Sequence, residues 1–134
     1  EKKMLEHVAT LKTTISQIKN VAAGETVGYS RKGIAKENIR IATVAIGYAD
    51  GLNRKLSNGV GKMFINGQQV SIIGNVCMDM CMLDVTNINC NEGDEVFVFG
   101  KDYPIENIAQ QTETISYEVL TSISQRVKRV YFHE

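Results

Sequence analysis

Short apolar runs separated by turn residues make up most of this chain. Residues 39–48 (IRIATVAIGY) are apolar at nearly every position, as in a strand covered on both faces, and the turn sequence ADG follows at 49–51. Residues 8–18 are rich in β-branched residues and alternate apolar with polar positions in their second half. They predict a strand that is closed by a turn at 22–25, after which the chain returns to extended form at 26–29.

A β-hairpin is predicted in the middle of the chain. Asn66 and Gly67 stand between two short apolar runs in residues 61–74, and this dipeptide is the strongest local signal for a hairpin. Further strands are predicted for GDEVFVFG at 93–100 and for RVKRVYF at 126–132.

Two short helices are predicted near the C-terminus. Residues 105–112 and 117–123 repeat apolar residues at three- and four-residue steps, and Ser116 is placed to cap the second helix. About seven short strands, two short helices and a single proline predict a mainly β fold. The expected architecture is a small closed or nearly closed β-barrel with two short helices near the C-terminus.

Length and charge narrow the possible functions. The 134 residues, 43% of them hydrophobic, are enough to bury a core and predict one domain over 1–134. Fifteen basic and 15 acidic residues leave no net charge to gather nucleic acid. Basic clusters at 31–33, 53–55 and 126–129 have acidic residues distributed among them and no RNA-binding signature, so we interpret them as solvated surface.

Cysteine usage and the chain ends indicate the compartment. Three cysteines form no even disulfide framework, which favours a reducing compartment and hence the cytoplasm. No apolar run approaches the roughly 18 residues of a membrane span, and the first residues, EKKMLEH, do not resemble a signal peptide. We expect no membrane contact by this domain.

Because the chain begins without Met and in mid-pattern, we also expect that it is excised from a longer protein.

A sulfur-rich stretch at 74–85 offers soft metal ligands. These ligands, which suit monovalent copper, are Cys77, Met78, Met80, Cys81 and Met82. In an extended strand the three methionines would lie on one face and the two cysteines on the other, so core packing is the simpler interpretation. His7 and His133 stand near the chain ends and no CxxC pair exists, so we expect no metal. Asp79 is a carboxylate inside an apolar run, which core packing does not explain. It must lie at a bend of the strand or have a partner.

The tyrosines are candidates for acid-base chemistry. They are Tyr29, Tyr48, Tyr103, Tyr117 and Tyr131. A tyrosine near a barrel rim is usually an amphipathic packing residue, and a phenol with a pKa of roughly 10 is a poor base without a cation or hydrogen-bonding neighbour. Arg31 and Lys32 follow Tyr29, but adjacent strand residues point apart. The residues alone leave open whether any tyrosine is catalytic.

Five sequence blocks occur in an order and spacing that are specific when taken together. They are VGYSR at 27–31, IGYADGLNR at 46–54, LSNGVGKMFINGQ at 56–68, GNVCMDMCMLDVT at 74–86 and ETISYEVLTSISQRVKRVY at 113–131. They resemble the successive signature blocks of the C-terminal domain of alanine racemase. The resemblance covers nearly the whole chain, from about Thr10 onward.

This resemblance implies a pyridoxal-phosphate enzyme that interconverts L- and D-alanine and supplies D-alanine for peptidoglycan. In the family an N-terminal α/β barrel carries the cofactor on a lysine, and the β domain follows it. The cofactor ring is the electron sink that makes the substrate Cα–H acidic. Inversion then needs a proton carrier on each face of Cα, and the family uses the cofactor lysine on one face and a tyrosine on the other.

The resemblance also implies roles for individual residues. The catalytic tyrosine corresponds to Tyr29, which is supplied to the opposite subunit's active site in a head-to-tail homodimer. Tyr48 corresponds to an entryway tyrosine that narrows the substrate channel. Met78 offers its backbone N–H to the substrate carboxylate, with Asp79 beside it. Tyr117 places its hydroxyl on the cofactor phosphate.

Three further residues correspond to the entryway. Arg54 matches an entryway arginine and Ile115 lines the entrance. Asn75 stands where the family often has arginine, so the outer ring of this entryway differs from the family pattern.

Two other functions are compatible with these residues. The first is a serine racemase or a broad-specificity amino-acid racemase with the same domain. The second is a non-enzymatic β-barrel binding module in which the tyrosines only pack. Because the cofactor-bearing barrel is not among these residues, the isolated domain is predicted to be inactive. The intact enzyme would act on a small amino acid as a homodimer.

Overall fold

The structure is a computed structural model, and it describes most of the chain. The described residues are 10–27, 33–34, 37–100, 105–114, 118–119 and 122–123. The predicted strand at 126–132 and the predicted cap Ser116 lie outside the described residues.

Eight strands, two 3-10 turns and one α-helix make up the described part. The strands are β1 (Leu11–Val21), β2 (Thr26–Val27), β3 (Gly33–Ile34), β4 (Ile39–Val44), β5 (Lys62–Ile65), β6 (Gln68–Ile73), β7 (Cys81–Asp84) and β8 (Glu95–Phe99). The 3-10 turns are η1 (Tyr48–Asp50) and η2 (Arg54–Leu56), and the helix is α1 (Ile105–Gln111).

Six of these strands form an antiparallel sheet that closes on itself. Their order around the barrel is β1-β4-β7-β6-β5-β8, while β2 and β3 pair separately. The closed barrel confirms the predicted fold class, and α1 confirms the first predicted helix. Residues 118, 119 and 122 are helical as well, within the second predicted helix. Among the described residues, no helix has the length and apolar character needed to cross a membrane.

The predicted hairpin is the connection between β5 and β6. Ile65 pairs with Gln68 across the two-residue turn. Asn66 and Gly67 have φ angles of 51° and 79°, the left-handed conformation that a type I′ turn requires. The sequence signal is confirmed because its cause is local.

Two of the predicted strands are shorter than expected. The strand predicted over 39–48 ends at Val44, because the chain turns into η1, where the amide of Asp50 bonds to the carbonyl of Gly47. The predicted alternation of residues 77–82 is wrong before β7. The Cys77 amide donates a hydrogen bond to the Met80 carbonyl (2.9 Å), which closes a turn there, so the strand begins only at Cys81.

The barrel interior is filled by alternate residues of the strands. In β7 Cys81 and Leu83 are fully buried, whereas Met82 between them is half-buried. Met82 instead packs on a second apolar cluster around Val21 and Ile41. Alternation thus holds within β7 itself, and a fold of this kind depends on such inward-facing residues.

Replacing Leu83 by alanine should lower the free energy of unfolding by about 3 kcal/mol, because a buried leucine loses its burial and leaves a cavity. Met82→Ala is the matched control in the same strand and should cost about 1 kcal/mol. Urea unfolding of both variants measures the difference. Equal losses would contradict the inward placement of Leu83.

Candidate functional site

Two loops meet at one end of the barrel. β4 and β7 are antiparallel neighbours, with Val44 opposite Cys81, so the chain leaving β4 and the chain entering β7 lie side by side. We call residues 47–51 the Gly-Tyr turn and residues 74–80 the Met78 loop. Sheet topology therefore brings together two segments that are about 30 residues apart in sequence.

Two backbone hydrogen bonds join the Gly-Tyr turn to the Met78 loop. The Tyr48 amide donates to the Cys77 carbonyl oxygen at 2.9 Å. The Ala49 amide donates to the Met78 carbonyl oxygen, also at 2.9 Å. The two loops therefore contact each other directly through their main chains.

Gly47 allows this close approach. A Cβ atom at this position would lie 2.2 Å from the Cys77 oxygen and 2.4 Å from the Met78 oxygen. Gly47 has φ of −147° and ψ of −167°, an extended conformation that any residue adopts. Glycine is required here by contact with the Met78 loop and not by its backbone conformation.

Asp50 stabilises the Gly-Tyr turn by hydrogen bonds to Gly47. Its side chain is 7% exposed, and its Oδ2 atom accepts a hydrogen bond from the Gly47 amide at 3.0 Å. The Asp50 amide in turn donates to the Gly47 carbonyl at 3.0 Å, and the Leu52 amide donates to the same oxygen at 3.2 Å. The turn ends at Gly51, which has φ of +108° and whose amide donates a hydrogen bond to the Tyr48 carbonyl. Asp50 thus supplies the carboxylate half of a capping box, while the bond from its amide to the Gly47 carbonyl is the backbone bond of the turn.

The second 3-10 turn places a cation on Tyr48. The Asn53 side chain caps η2 by accepting a hydrogen bond from the Lys55 amide at 2.8 Å. The guanidinium carbon of Arg54 lies 5.2 Å from the centroid of the Tyr48 ring, which is a cation–π contact. Tyr48 is 42% exposed, so its ring is fixed on one side and open on another.

The residues after η2 hold the other end of the Met78 loop. The Ser57 hydroxyl accepts a hydrogen bond from the Val76 amide at 2.8 Å. The Asn58 amide donates to the Gly74 carbonyl at 2.8 Å, and its side-chain nitrogen donates to Asn75 Oδ1 at 3.0 Å. The residues after η2 therefore bind the first three residues of the Met78 loop, and the Gly-Tyr turn binds Cys77 and Met78.

The exposed part of the Met78 loop is a bend. Met78 is 54% exposed and Asp79 is exposed beside it, so Asp79 lies at a bend, one of the two explanations expected for it. The main-chain N–H of Met78 has no acceptor among the described residues. An exposed amide of this kind is a donor for an anionic group.

The structure brings five of the predicted site residues to this end of the barrel. They are Tyr48, Arg54, Asn75, Met78 and Asp79. Three others, Tyr29, Ile115 and Tyr117, lie outside the described residues, and their roles stay predictions.

The sequence predictions did not include the residues that hold this arrangement. The sequence patterns place Gly47 at a strand end and Asp50 in a turn, and they place Ser57 and Asn58 in the block at 56–68 without a role at the site. A carboxylate three residues after the start of a turn is a capping signal, and it could have identified Asp50. No sequence signal identifies Ser57, because its partner Val76 is distant in sequence.

The three cysteines are free thiols, and two of them, Cys81 and Cys90, are buried. Within the described part of the chain, no group of three or more His, Cys, Asp or Glu residues could hold a metal ion. Burial, and to a smaller extent the nearby Cys77, raises the pKa of the Cys81 thiol to about 12. Burial also raises the pKa of Cys90, although Arg40 opposes this effect. Both buried thiols therefore keep their protons at neutral pH.

The chain is similar in sequence to alanine racemases. The family described as "Alanine racemase, C-terminal domain" matches residues 8–131. Alanine racemase 1 of Caldanaerobacter subterraneus is 44% identical over 127 residues, which cover 91% of this chain and 32% of that protein. Alanine racemase of Helicobacter acinonychis is 43% identical over 132 residues, covering 96% of this chain and 35% of that protein. The chain spans about a third of the length of these relatives.

Solved structures show the same fold. The alanine racemase of Bartonella henselae with covalently bound pyridoxal phosphate superposes with a TM-score of 0.87 at 35% identity, covering 92% of this chain and 34% of that chain. The Clostridium difficile alanine racemase in complex with cycloserine has a TM-score of 0.84 at 42% identity, covering 91% of this chain and 32% of that one.

Replacing Gly47 by alanine should lower the free energy of unfolding by about 3 kcal/mol, because the new Cβ would collide with two carbonyl oxygens. Gly24→Ala is the control: Gly24 has φ +91° but open space around it, so the cost is only the backbone conformation, about 1 kcal/mol. Denaturant unfolding separates the two. A Gly47 variant as stable as the Gly24 variant would contradict the close contact.

Alkylation should distinguish Cys77 from Cys81. At pH 8 a thiol with a pKa of about 12 is thiolate in only about one molecule in 10⁴, and its reactivity should rise about tenfold per pH unit. We expect iodoacetamide to label the half-buried Cys77 first, and Cys81 far more slowly. Peptide mass mapping between pH 7 and 9 measures this, with the unfolded protein as the reference. Equal labelling of Cys77 and Cys81 at pH 8 would disprove it.

Proposed function

The chain belongs to the family of alanine racemase C-terminal domains, and from this membership we propose that the intact protein interconverts L- and D-alanine with pyridoxal phosphate. The relatives are named alanine racemases, and one related structure carries covalently bound pyridoxal phosphate. The proposed biological role is the supply of D-alanine for peptidoglycan. The described cysteines are free thiols, which supports a cytoplasmic location.

The observation that carries this proposal is the Met78 amide. It has no acceptor among the described residues, and its loop is held by hydrogen bonds on both sides. The Tyr48 phenol and the Arg54 guanidinium lie on the adjoining turns. One amide donor, one phenol and one cation suit a small anionic ligand such as an amino-acid carboxylate.

Each of these groups has a part in binding alanine. The Met78 N–H would donate to the substrate carboxylate and fix its orientation, with Asp79 beside it. Tyr48 would limit the size of the channel, and Arg54 would hold the Tyr48 ring in place by its cation–π contact. Arg54, Asn75 and Ile115 would form the entryway. Ile115 enters by motif match alone.

The donor set at this end of the barrel also fits an anionic cofactor group. Pyridoxal phosphate, when bound, supplies the electron sink that makes the Cα–H of an amino acid acidic. By motif match, Tyr117 would donate its hydroxyl to the cofactor phosphate. The cofactor lysine would belong to another part of the intact protein.

Tyr29 would carry the proton on one face of the substrate. Its phenol oxygen would give a proton to Cα in one direction of the reaction and take it in the other. A phenol does this at neutral pH only if a neighbouring cation or hydrogen bond favours the phenolate. We propose that the partner subunit of a homodimer completes this site, so residues 1–134 alone would not racemise alanine.

In the intact enzyme, Tyr29→Phe should lower kcat in both directions by at least about 10³-fold, because one of two proton carriers is lost. Met82→Ala is the control, since Met82 packs on the outer apolar cluster of the barrel and not at the site, and it should change kcat by less than about threefold. Circular dichroism of alanine measures both directions, and the cofactor absorbance verifies loading. Wild-type rates for Tyr29→Phe would refute the assignment. Absence of any racemisation by the wild-type enzyme would refute the proposed function.

A further inference from the structure

We propose that Asp50 is a positioning residue that sets the direction of the Met78 amide for the substrate carboxylate. This inference rests on the proposed function and extends it to a residue that does not touch the ligand. Asp50 is the one charged side chain among the buried residues of the described part of the chain. A buried carboxylate is costly, so its retention needs a specific hydrogen-bonding role.

The first step is the bond from Asp50 to Gly47. The Asp50 Oδ2 atom accepts the Gly47 N–H at 3.0 Å, and the Asp50 amide donates to the Gly47 carbonyl at the same distance. These reciprocal bonds fix the backbone of the 3-10 turn in one conformation. The amides of Tyr48 and Ala49 follow Gly47 directly, so their directions are fixed with it.

The second step is the contact of the turn with the Met78 loop. The Tyr48 amide donates to the Cys77 carbonyl, and that carbonyl belongs to the same peptide unit as the Met78 N–H. A trans peptide is planar, and its C=O and N–H point in opposite directions. The described residues contain no cis peptide bond. The hydrogen bond from Tyr48 therefore orients the Met78 N–H away from the turn and into the open side of the loop.

The third step is the neighbouring peptide. The Ala49 amide holds the Met78 carbonyl at 2.9 Å, so the peptide units on both sides of the Met78 Cα are bound to the same turn. Rotation of either unit would break a hydrogen bond. Because the Gly47 amide is the one that Asp50 accepts, loss of that carboxylate loosens the element that orients both peptides.

Three variants of the intact holoenzyme test this proposal. Asp50→Ala should raise KM for alanine about tenfold and leave kcat within about threefold, because a carboxylate contact present in both ground and transition state mainly affects KM. Asp50→Asn keeps an oxygen acceptor for the Gly47 N–H and should restore KM to within about threefold of wild type. Leu83→Ala is the matched control, because it destabilises the barrel interior and leaves the Gly-Tyr turn unchanged.

Propionate gives a second readout that does not depend on turnover. This carboxylate lacks the amino group, and its affinity is measured by calorimetry together with the ¹⁵N shift of the Met78 amide. Asp50→Ala should weaken propionate binding about tenfold and, at saturating propionate, reduce the change that propionate causes in the ¹⁵N shift of Met78, while Leu83→Ala changes neither. Equal changes in both variants, or an unchanged KM in Asp50→Ala, would overturn the inference. An inactive wild-type enzyme whose Met78 shift still depends on Asp50 would refute the proposed function and leave the positioning role standing.

Discussion

The hydrogen bond from the Tyr48 amide to the Cys77 carbonyl is the contact on which the site depends. It joins two segments that share no local sequence relationship, and only glycine at position 47 leaves room for it. The bond connects the Gly-Tyr turn to the Met78 loop, and it also orients the Met78 amide. Backbone atoms, and not the conspicuous side chains, therefore set the geometry of this end of the molecule.

The closed barrel makes this contact possible. Six antiparallel strands leave no free edge, and neighbouring strands fix which loops meet at each end. The pairing of Val44 with Cys81 determines that the loop after β4 lies beside the loop before β7. Hydrogen-bonded turns are thus carried at the end of a rigid sheet. This arrangement is expected where a ligand must be held in one orientation.

The sulfur-rich stretch illustrates how composition and role diverge. Cys81 is a core residue whose buried thiol keeps its proton, whereas Met78 is exposed only because its loop bends away from the sheet. Met82 packs on the outside of the barrel against a second apolar cluster. These three residues of one short stretch have different environments, because the backbone bends before β7 and side chains alternate between the two faces within it.

The sequence by itself determined the elements whose causes are local. The Asn66-Gly67 hairpin follows from the left-handed backbone these two residues accept, and the apolar runs predict the strands and the barrel because alternation reflects burial. The Gly-Tyr and Met78 segments were also identified as site candidates, by their family resemblance. The sequence does not identify the partners of these segments, because Gly47 and Ser57 act through contacts with the main chain of residues distant in sequence. Only the tertiary structure decides such contacts, since they depend on which strands become neighbours and on where each strand ends.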